Sequence, residues 1–329
     1  MFSDISVFAQ SGEIIPVTAF KGLQVAGITV SEAGRLFVNF PRWRRDMPYS
    51  VIEVLEGGAL FPFPDREMND WDVGMPVNDH KFVSVQSVHS DGDKLYILDT
   101  KNPYRKGVVT SPVVYIYDLK DNSLGKTYHI SAVKMKSYVH DFRVDKKKDK
   151  IYFTDSAEAG IIVLDMVTGK NFRVLDNHPF TRAEKDDIVI GGIRRKEKVH
   201  STGIVLDKEN DILYFHSLTG YTLYGIPTED LINRRFHESR VIRMKTVPLN
   251  GMTMDSKGNL YFGDLENRKI QYVTTSGEIR TLVESERINW PNSLSIYNGY
   301  LYFTNSRSHE AFGDVSEMIF TIDKVALPQ

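Results

Sequence analysis

His140 and Asp141 stand side by side in a chain that carries few other residues arranged for chemistry. An imidazole has an unperturbed pKa near neutrality, so it can take or give a proton at a reacting atom. The adjacent carboxylate can share that work or hold an ion. The competing reading is structural: at a crowded position both side chains would satisfy backbone groups. His216, in Leu213-Tyr-Phe-His216, reads as a structural hydrogen-bonding group for the same reason. Other catalytic signatures are missing from the sequence: no Gly-x-Ser-x-Gly, no phosphate loop, no Gly-x-Gly-x-x-Gly and no His-Glu-x-x-His. Nine dispersed histidines show no zinc-ligand spacing. The lack of cysteine excludes disulfides, thiolate metal sites and a cysteine nucleophile.

The elements that must position such residues are visible as a repeat. A strand, a polar turn and a second strand of the form Leu-Tyr-Phe-x-Asp recur six times. The copies end at 36–40, 95–99, 151–155, 213–217, 260–264 and 301–305, spaced by 59, 56, 62, 47 and 41 residues. Repeats of this period signal a propeller. The expected fold is therefore all-β: a six-bladed β-propeller of four-stranded antiparallel blades, one domain over residues 1–329. The third unit is the plainest, with strands expected over 139–144, 151–155, 161–164 and 171–175, each bounded by turn residues. Residues 176–200 read as an insertion carrying a short hairpin, and 228–233 as a helical turn capped by Thr228. The last unit lacks a fourth strand. The extended stretches 5–8 and 13–17 are expected to supply it and lock the ring, because closure removes exposed strand edges. Asp99, Asp155 and Asp264 recur at one strand end, which marks turn hydrogen bonding rather than catalysis.

Loops after the Leu-Tyr-Phe strands bring Arg42, Trp43, Tyr104, Arg105, Tyr221, Arg268 and Phe312 toward one end of the ring. An aromatic-and-arginine rim suits a planar or anionic small ligand, although aromatics there can also pack loop against loop. Trp71, in the connection 57–81, reads as a loop anchor. With 41 basic and 43 acidic residues and no sustained basic tract, no nucleic-acid partner is expected. The charge run 145–150 reads as a solvated hairpin tip. No apolar run is long enough to cross a bilayer, so no membrane partner is expected either. The opening Met1-Phe-Ser-Asp-Ile-Ser lacks a charged segment followed by an apolar core, so no signal peptide is expected. The compartment and any protein partner stay open.

Gly27-Ile-Thr-Val-Ser31 followed by Gly34-Arg-Leu-Phe-Val-Asn-Phe-Pro-Arg-Trp43 resembles the opening of the Yellow/major royal jelly protein family. Ile204-Val-Leu-Asp207, Leu213-Tyr-Phe-His216, Leu223-Tyr-Gly-Ile-Pro-Thr228 and Met252-Thr-Met-Asp255 through Gly263 resemble further family segments. The likeness covers most of residues 20–310. Phe-Pro-Arg-Trp and Tyr-Phe-His are its specific parts; Leu-Tyr-Phe alone suits any six-bladed propeller. The absent cysteines depart from typical insect members, and the chain resembles a compact bacterial-type relative. The resemblance implies a ligand site at one end of the central channel. It also implies conversion of dopachrome-like catechol products, binding of biogenic amines, or nutritional and structural roles.

More distantly, the architecture is similar to calcium-dependent lactonases resembling gluconolactonase and senescence marker protein. Those enzymes place Glu, Asn and Asp ligands at the start of the innermost strands. Counting back from each Leu-Tyr-Phe, that slot holds Ala26, Val85, His140, Thr202, Asn250 and Asn292. Gly27, Gln86, Asp141, Gly203, Gly251 and Ser293 follow them. Asn250 and Asn292 match the lactonase-like pattern, while Ala26 stands where those enzymes use a Glu. By this resemblance Asp141, Asn250 and Asn292 are the expected metal set, with water and carbonyls completing the shell, and the cofactor is calcium or else none. The expected catalytic pair is His140 and Asp141; the expected ligand-binding set is Arg42, Trp43, Gln86, Thr202, Asn250 and Asn292. Three readings follow: a propeller that binds, and rearranges or tautomerises, a small aromatic or catechol-like ligand; a calcium-dependent lactonase or esterase; and a non-catalytic binding protein.

Overall fold

A computed structural model describes residues 12–45, 47–235 and 237–328. Six four-stranded antiparallel sheets are arranged as a β-propeller, and helices are reduced to short turns. Blade 1 comprises Gly27–Val30, Leu36–Asn39, Val51–Val54 and Leu60–Pro62; blade 2, Val85–Asp91, Lys94–Asp99, Val113–Asp118 and Leu124–His129. Blade 3 comprises Val139–Asp145, Lys150–Asp155, Gly160–Asp165 and Asn171–Val174; blade 4, Ser201–Asp207, Ile212–Ser217, Thr222–Pro227 and Ile242–Lys245. Blade 5 comprises Leu249–Met254, Leu260–Asp264, Lys269–Val273 and Ile279–Glu284. Blade 6 takes Pro291–Tyr297, Tyr300–Asn305 and Ile319–Ala326 from the end of the chain. Its outermost strand is Ile15–Lys21, paired antiparallel to Ile319–Ala326 with Phe20 opposite Phe320. Closure thus follows the expected plan, with the closing strand starting two residues later than the expected stretch; the other stretch, 5–8, lies outside the described residues.

The first strand of every blade is innermost. Each packs on the next, and that of blade 6 returns to that of blade 1. The middle strands bury Leu, Tyr and Phe in clusters shared by adjacent blades; one joins Phe20, Val25, Ile28, Phe40, Phe320 and Ile322 across the point of closure. The edge-to-face pair Phe20–Phe40, with centroids 5.1 Å apart, sits in that cluster. The axis is crowded. A Cβ on Gly203 would meet the Asn250 carbonyl oxygen at 2.6 Å, and one on Gly251 the Asn292 carbonyl oxygen at 2.8 Å. Glycine at these places lets neighbouring backbones approach.

Five of the six inner strands break register near their start: between 85 and 87, 139 and 142, 201 and 203, 249 and 252, and 291 and 294. Gln86, His140, Asp141, Thr202, Asn250 and Asn292 all fall inside these breaks. A bulge bends the strand and re-aims its side chains. The slot found by counting residues falls in such a break in blades 3 to 6; in blade 2 the break takes Gln86 rather than Val85, and at Ala26 in blade 1 there is none.

The strand-end aspartates are turn fasteners. Asp99 accepts the amides of Val83, Ser84 and Lys101, and Asp155 those of Tyr138, Ala157 and Glu158. Asp264 accepts those of Glu266 and Asn267. His216 is buried with Nε2 2.8 Å from Thr246 Oγ1. The helical turn Thr228–Ile232 forms, but Thr228 does not cap it. Pro227 holds the cap position, and Thr228 Oγ1 donates to the Asp211 carbonyl at 3.2 Å. The insertion carries a hairpin, Asp187–Ile190 with Ile193–Lys196. Ile188 and Ile190 pack with Leu218, Leu265 and Trp290, and the Val189 amide donates to Glu266 at 2.7 Å. Among the described residues no helix is long and apolar enough to cross a membrane.

Candidate functional site

At the end of the channel where the inner strands begin lies a cavity of about 250 Å³. One wall starts at Trp43, in the loop after blade 1's second strand. Its indole N–H donates to Tyr138 Oη at 2.6 Å, and the Tyr138 hydroxyl donates to Gln86 Oε1 at 2.5 Å. The Arg105 guanidinium lies 4.3 Å from the centre of the Trp43 ring. Trp290 lines the facing side, stacked on His309 with centroids 5.6 Å apart and planes at 18°. Phe312, 69% exposed, stands at the mouth. Arg105 and Trp290 hold positive φ, +57° and +58°. Non-glycine residues reach that region at a cost, and such strain clusters where geometry is fixed for a purpose.

His140, Asn250 and Asn292 lie deeper in the same cavity. Burial pushes the His140 pKa down to about 4; the Asp141 charge opposes this, Arg105 adds to it, and a hydrogen bond to the Thr202 backbone works against it. The imidazole is thus neutral at ordinary pH. Its Nδ1 is shielded from bulk water and has no partner among the described residues. The Tyr138 pKa is raised by burial. Glu197, from the insertion, also reaches the cavity. Desolvation raises its pKa, with Arg105 and Arg195 pulling the other way.

The expected site residues divide. His140, Trp43, Asn250 and Asn292 share the cavity, and from the rim Arg105 and Phe312 join them. Gln86 stands one layer back, holding Tyr138. Thr202 is fully buried in its slot, its carbonyl accepting from Thr154 Oγ1 at 2.9 Å. Arg42 turns away: its Nε donates to the Val83 carbonyl at 3.2 Å, and its guanidinium lies 5.3 Å from the ring of buried Trp71. Tyr221 and Arg268 are engaged with Glu266 and Glu286. Asp141 is not a cavity residue. Ser87 Oγ donates to it at 2.6 Å, the Phe142 amide at 2.8 Å and Arg143 Nη1 at 3.0 Å. It faces Ser87 of blade 2 and Arg143 two residues along its own strand, whose charge it neutralises. Tyr138, Trp290 and Glu197 were not among the expected residues. Tyr138 and Trp290 each stand two residues before their slot residue, His140 and Asn292. Counting two further back from the slots would have found both.

The expected calcium set does not fit a calcium ion. Asp141 is committed to Arg143 and Ser87, and Asn250 Nδ2 donates to Asn292 Oδ1 at 2.6 Å. From the expected set a hard cation there would meet neutral amide oxygens and no available carboxylate, too little charge for the shell it prefers. Among the described residues no group of three or more His, Asp or Glu side chains gathers to hold a metal ion.

No curated protein matches the chain in sequence. Among solved structures, virginiamycin B lyase from Staphylococcus aureus superposes with a TM-score of 0.55 at 15% identity, over 96% of this chain and 100% of that one. A luciferin-regenerating enzyme gives 0.62 at 10% identity, over 96% and 95%. A gluconolactonase from Xanthomonas campestris gives 0.56 at 12%, over 98% and 99%. Likeness at such identities establishes the fold alone. The profile of the major royal jelly protein family matches residues 83–323, well over half the sequence, and the chain belongs to that family.

Proposed function

We propose that this propeller binds a small planar aromatic molecule of catechol type in the cavity and rearranges or tautomerises it, with His140 moving the proton. The observation that carries the reading is the meeting of aromatic walls, Trp43, Tyr138 and Trp290, with an imidazole kept neutral by burial. The walls take up a flat ring on its faces and edges. The imidazole is unprotonated with an unpartnered nitrogen and so can take a proton, as a weaker base than free histidine. The reaction is a proton transfer without net oxidation: the electron pair of a broken C–H bond enters the ring system, and a ring oxygen takes up a proton. Asp141 serves by its charge beside His140 and not as the base, because Arg143 and Ser87 hold it.

The test titrates catechols and aromatic amines and follows turnover of a quinonoid probe by absorbance. His140→Gln should bind within about threefold of the parent and lose turnover by about a hundredfold or more, the usual range for a positioned base. Unchanged turnover in that variant overturns the assignment of His140. Tight binding with no turnover in the parent assigns a non-catalytic binding protein instead.

A further inference from the structure

Two asparagines at the floor of the cavity form a relay whose direction is fixed by the backbone. The Ala26 carbonyl can only accept, and it takes Asn292 Nδ2 at 3.1 Å and Thr304 Oγ1 at 2.8 Å. Asn292 must therefore turn its amide nitrogen toward Ala26 and its oxygen toward Asn250. Asn250 answers with Nδ2, 2.6 Å away. By elimination the Asn250 oxygen is left over. It is shielded from bulk water, lacks a partner among the described residues, and belongs to a side chain only 3% exposed. An orphaned amide oxygen at such a place costs stability until something donates to it.

The same condition recurs in the two preceding blades. Thr202 Oγ1 in blade 4 and His140 Nδ1 in blade 3 occupy the corresponding slots, are shielded from bulk water and lack partners among the described residues. In the neutral imidazole Nδ1 accepts when the proton sits on Nε2. Three successive blades thus contribute one fixed acceptor, one imidazole nitrogen and one hydroxyl, of which Asn250 and His140 line the cavity. Nothing charged is among them.

We propose that the Asn250 oxygen, with His140 in the same cavity, is a subsite for a single hydrogen-bond donor, a ligand O–H or N–H, and that it selects against ligands presenting only acceptors there. The proposal rests on the aromatic-ligand reading above and adds which end of the ligand enters first. A carboxylate or phosphate would bring acceptors against acceptors. A neutral O–H donates to the Asn250 oxygen. Rejection of an analogue that lacks the donor is strong where a site's own polar groups are left unpaired.

The experiment is calorimetric titration of the full chain with catechol and with 1,2-dimethoxybenzene, which keeps the ring and loses both donors. Catechol should bind at least about tenfold more tightly, the penalty for leaving buried acceptors unmet. In Asn250→Leu the two affinities should converge, the melting temperature reporting that the ring stays folded. Asn250→Ala, which removes the oxygen without adding bulk, should narrow the gap as well and serves if the leucine variant does not fold. Equal binding of both probes to the parent overturns the donor subsite and leaves the aromatic cavity standing. A preference that survives in both variants also overturns it. Binding of neither probe overturns the aromatic reading itself, and the subsite with it.

Discussion

His216 is the cleanest place to read what burial does to a titrating group. Burial pushes its pKa from 6.5 down to about 3. In the fold it stays neutral, whereas the unfolded chain takes a proton near 6.5, so below neutrality the unfolded state binds more protons. The stability tied to this residue is complete above about pH 6.5 and is lost as pH falls toward 3; at pH 5 the loss is about 2 kcal/mol. His89 and His140, pushed down to about 3 and about 4, act in the same direction. Chemical denaturation at pH 7 and pH 5 should show His216→Gln losing about 2 kcal/mol less than the parent across that step. An unchanged difference would contradict a neutral buried imidazole. Trp43 offers a second test. Trp43→Phe keeps a flat wall but leaves Tyr138 Oη without its donor, and affinity for catechol should fall about five- to tenfold. Both residues stood out in the sequence, but their neighbours did not sort as cleanly. Arg42 and Trp43 are adjacent and face opposite ways, because the guanidinium finds Trp71 and a carbonyl behind the loop. Sequence alone carries no sign of which of two adjacent loop residues turns inward.

At the scale of elements, the repeated Leu-Tyr-Phe strands were legible because they bury both faces and so repeat in sequence. The outer strands of blades 1, 2 and 4 were not. Leu124–His129 and Leu60–Pro62 are largely exposed, and Ile242–Lys245 is partly so; a strand that packs one weak face leaves little pattern to read. The insertion was legible as a hairpin, but its tie to the cavity was not, since that tie runs through Ile188 and Ile190 meeting Trp290 far along the chain. Ile188→Ala should therefore speed amide exchange over 187–196, leave the blades protected, and weaken ligand binding through Trp290. Exchange unchanged over the hairpin would mean that it is not held by this contact. Gly251→Ala tests the axis: a Cβ 2.8 Å from the Asn292 carbonyl oxygen must push two inner strands apart. It should cost about 1–3 kcal/mol in denaturant unfolding, the range for overpacking.

For the whole molecule, closure rests on one strand from the far end of the chain. Phe20 is 2% exposed and packs on Phe40 of blade 1 while its strand pairs with blade 6. Phe20→Ala should destabilise by about 3–5 kcal/mol, with the transition broadening as the seam between blades 6 and 1 opens before the rest. A sharp, unshifted transition would show that the seam is not the weak point. The seam also has a history in time. Ile15–Lys21 leaves the ribosome early, and its pairing partner follows about 300 residues later. At roughly 5–20 residues per second that is a delay of about 15–60 seconds. Through that interval the first blades can assemble while the closing strand waits unpaired, an adhesive ribbon in a crowded cell. Asn292, which completes the amide relay, is made near the end of the same interval. The binding site and the closed ring therefore come into being together, and a nascent chain released early would have neither.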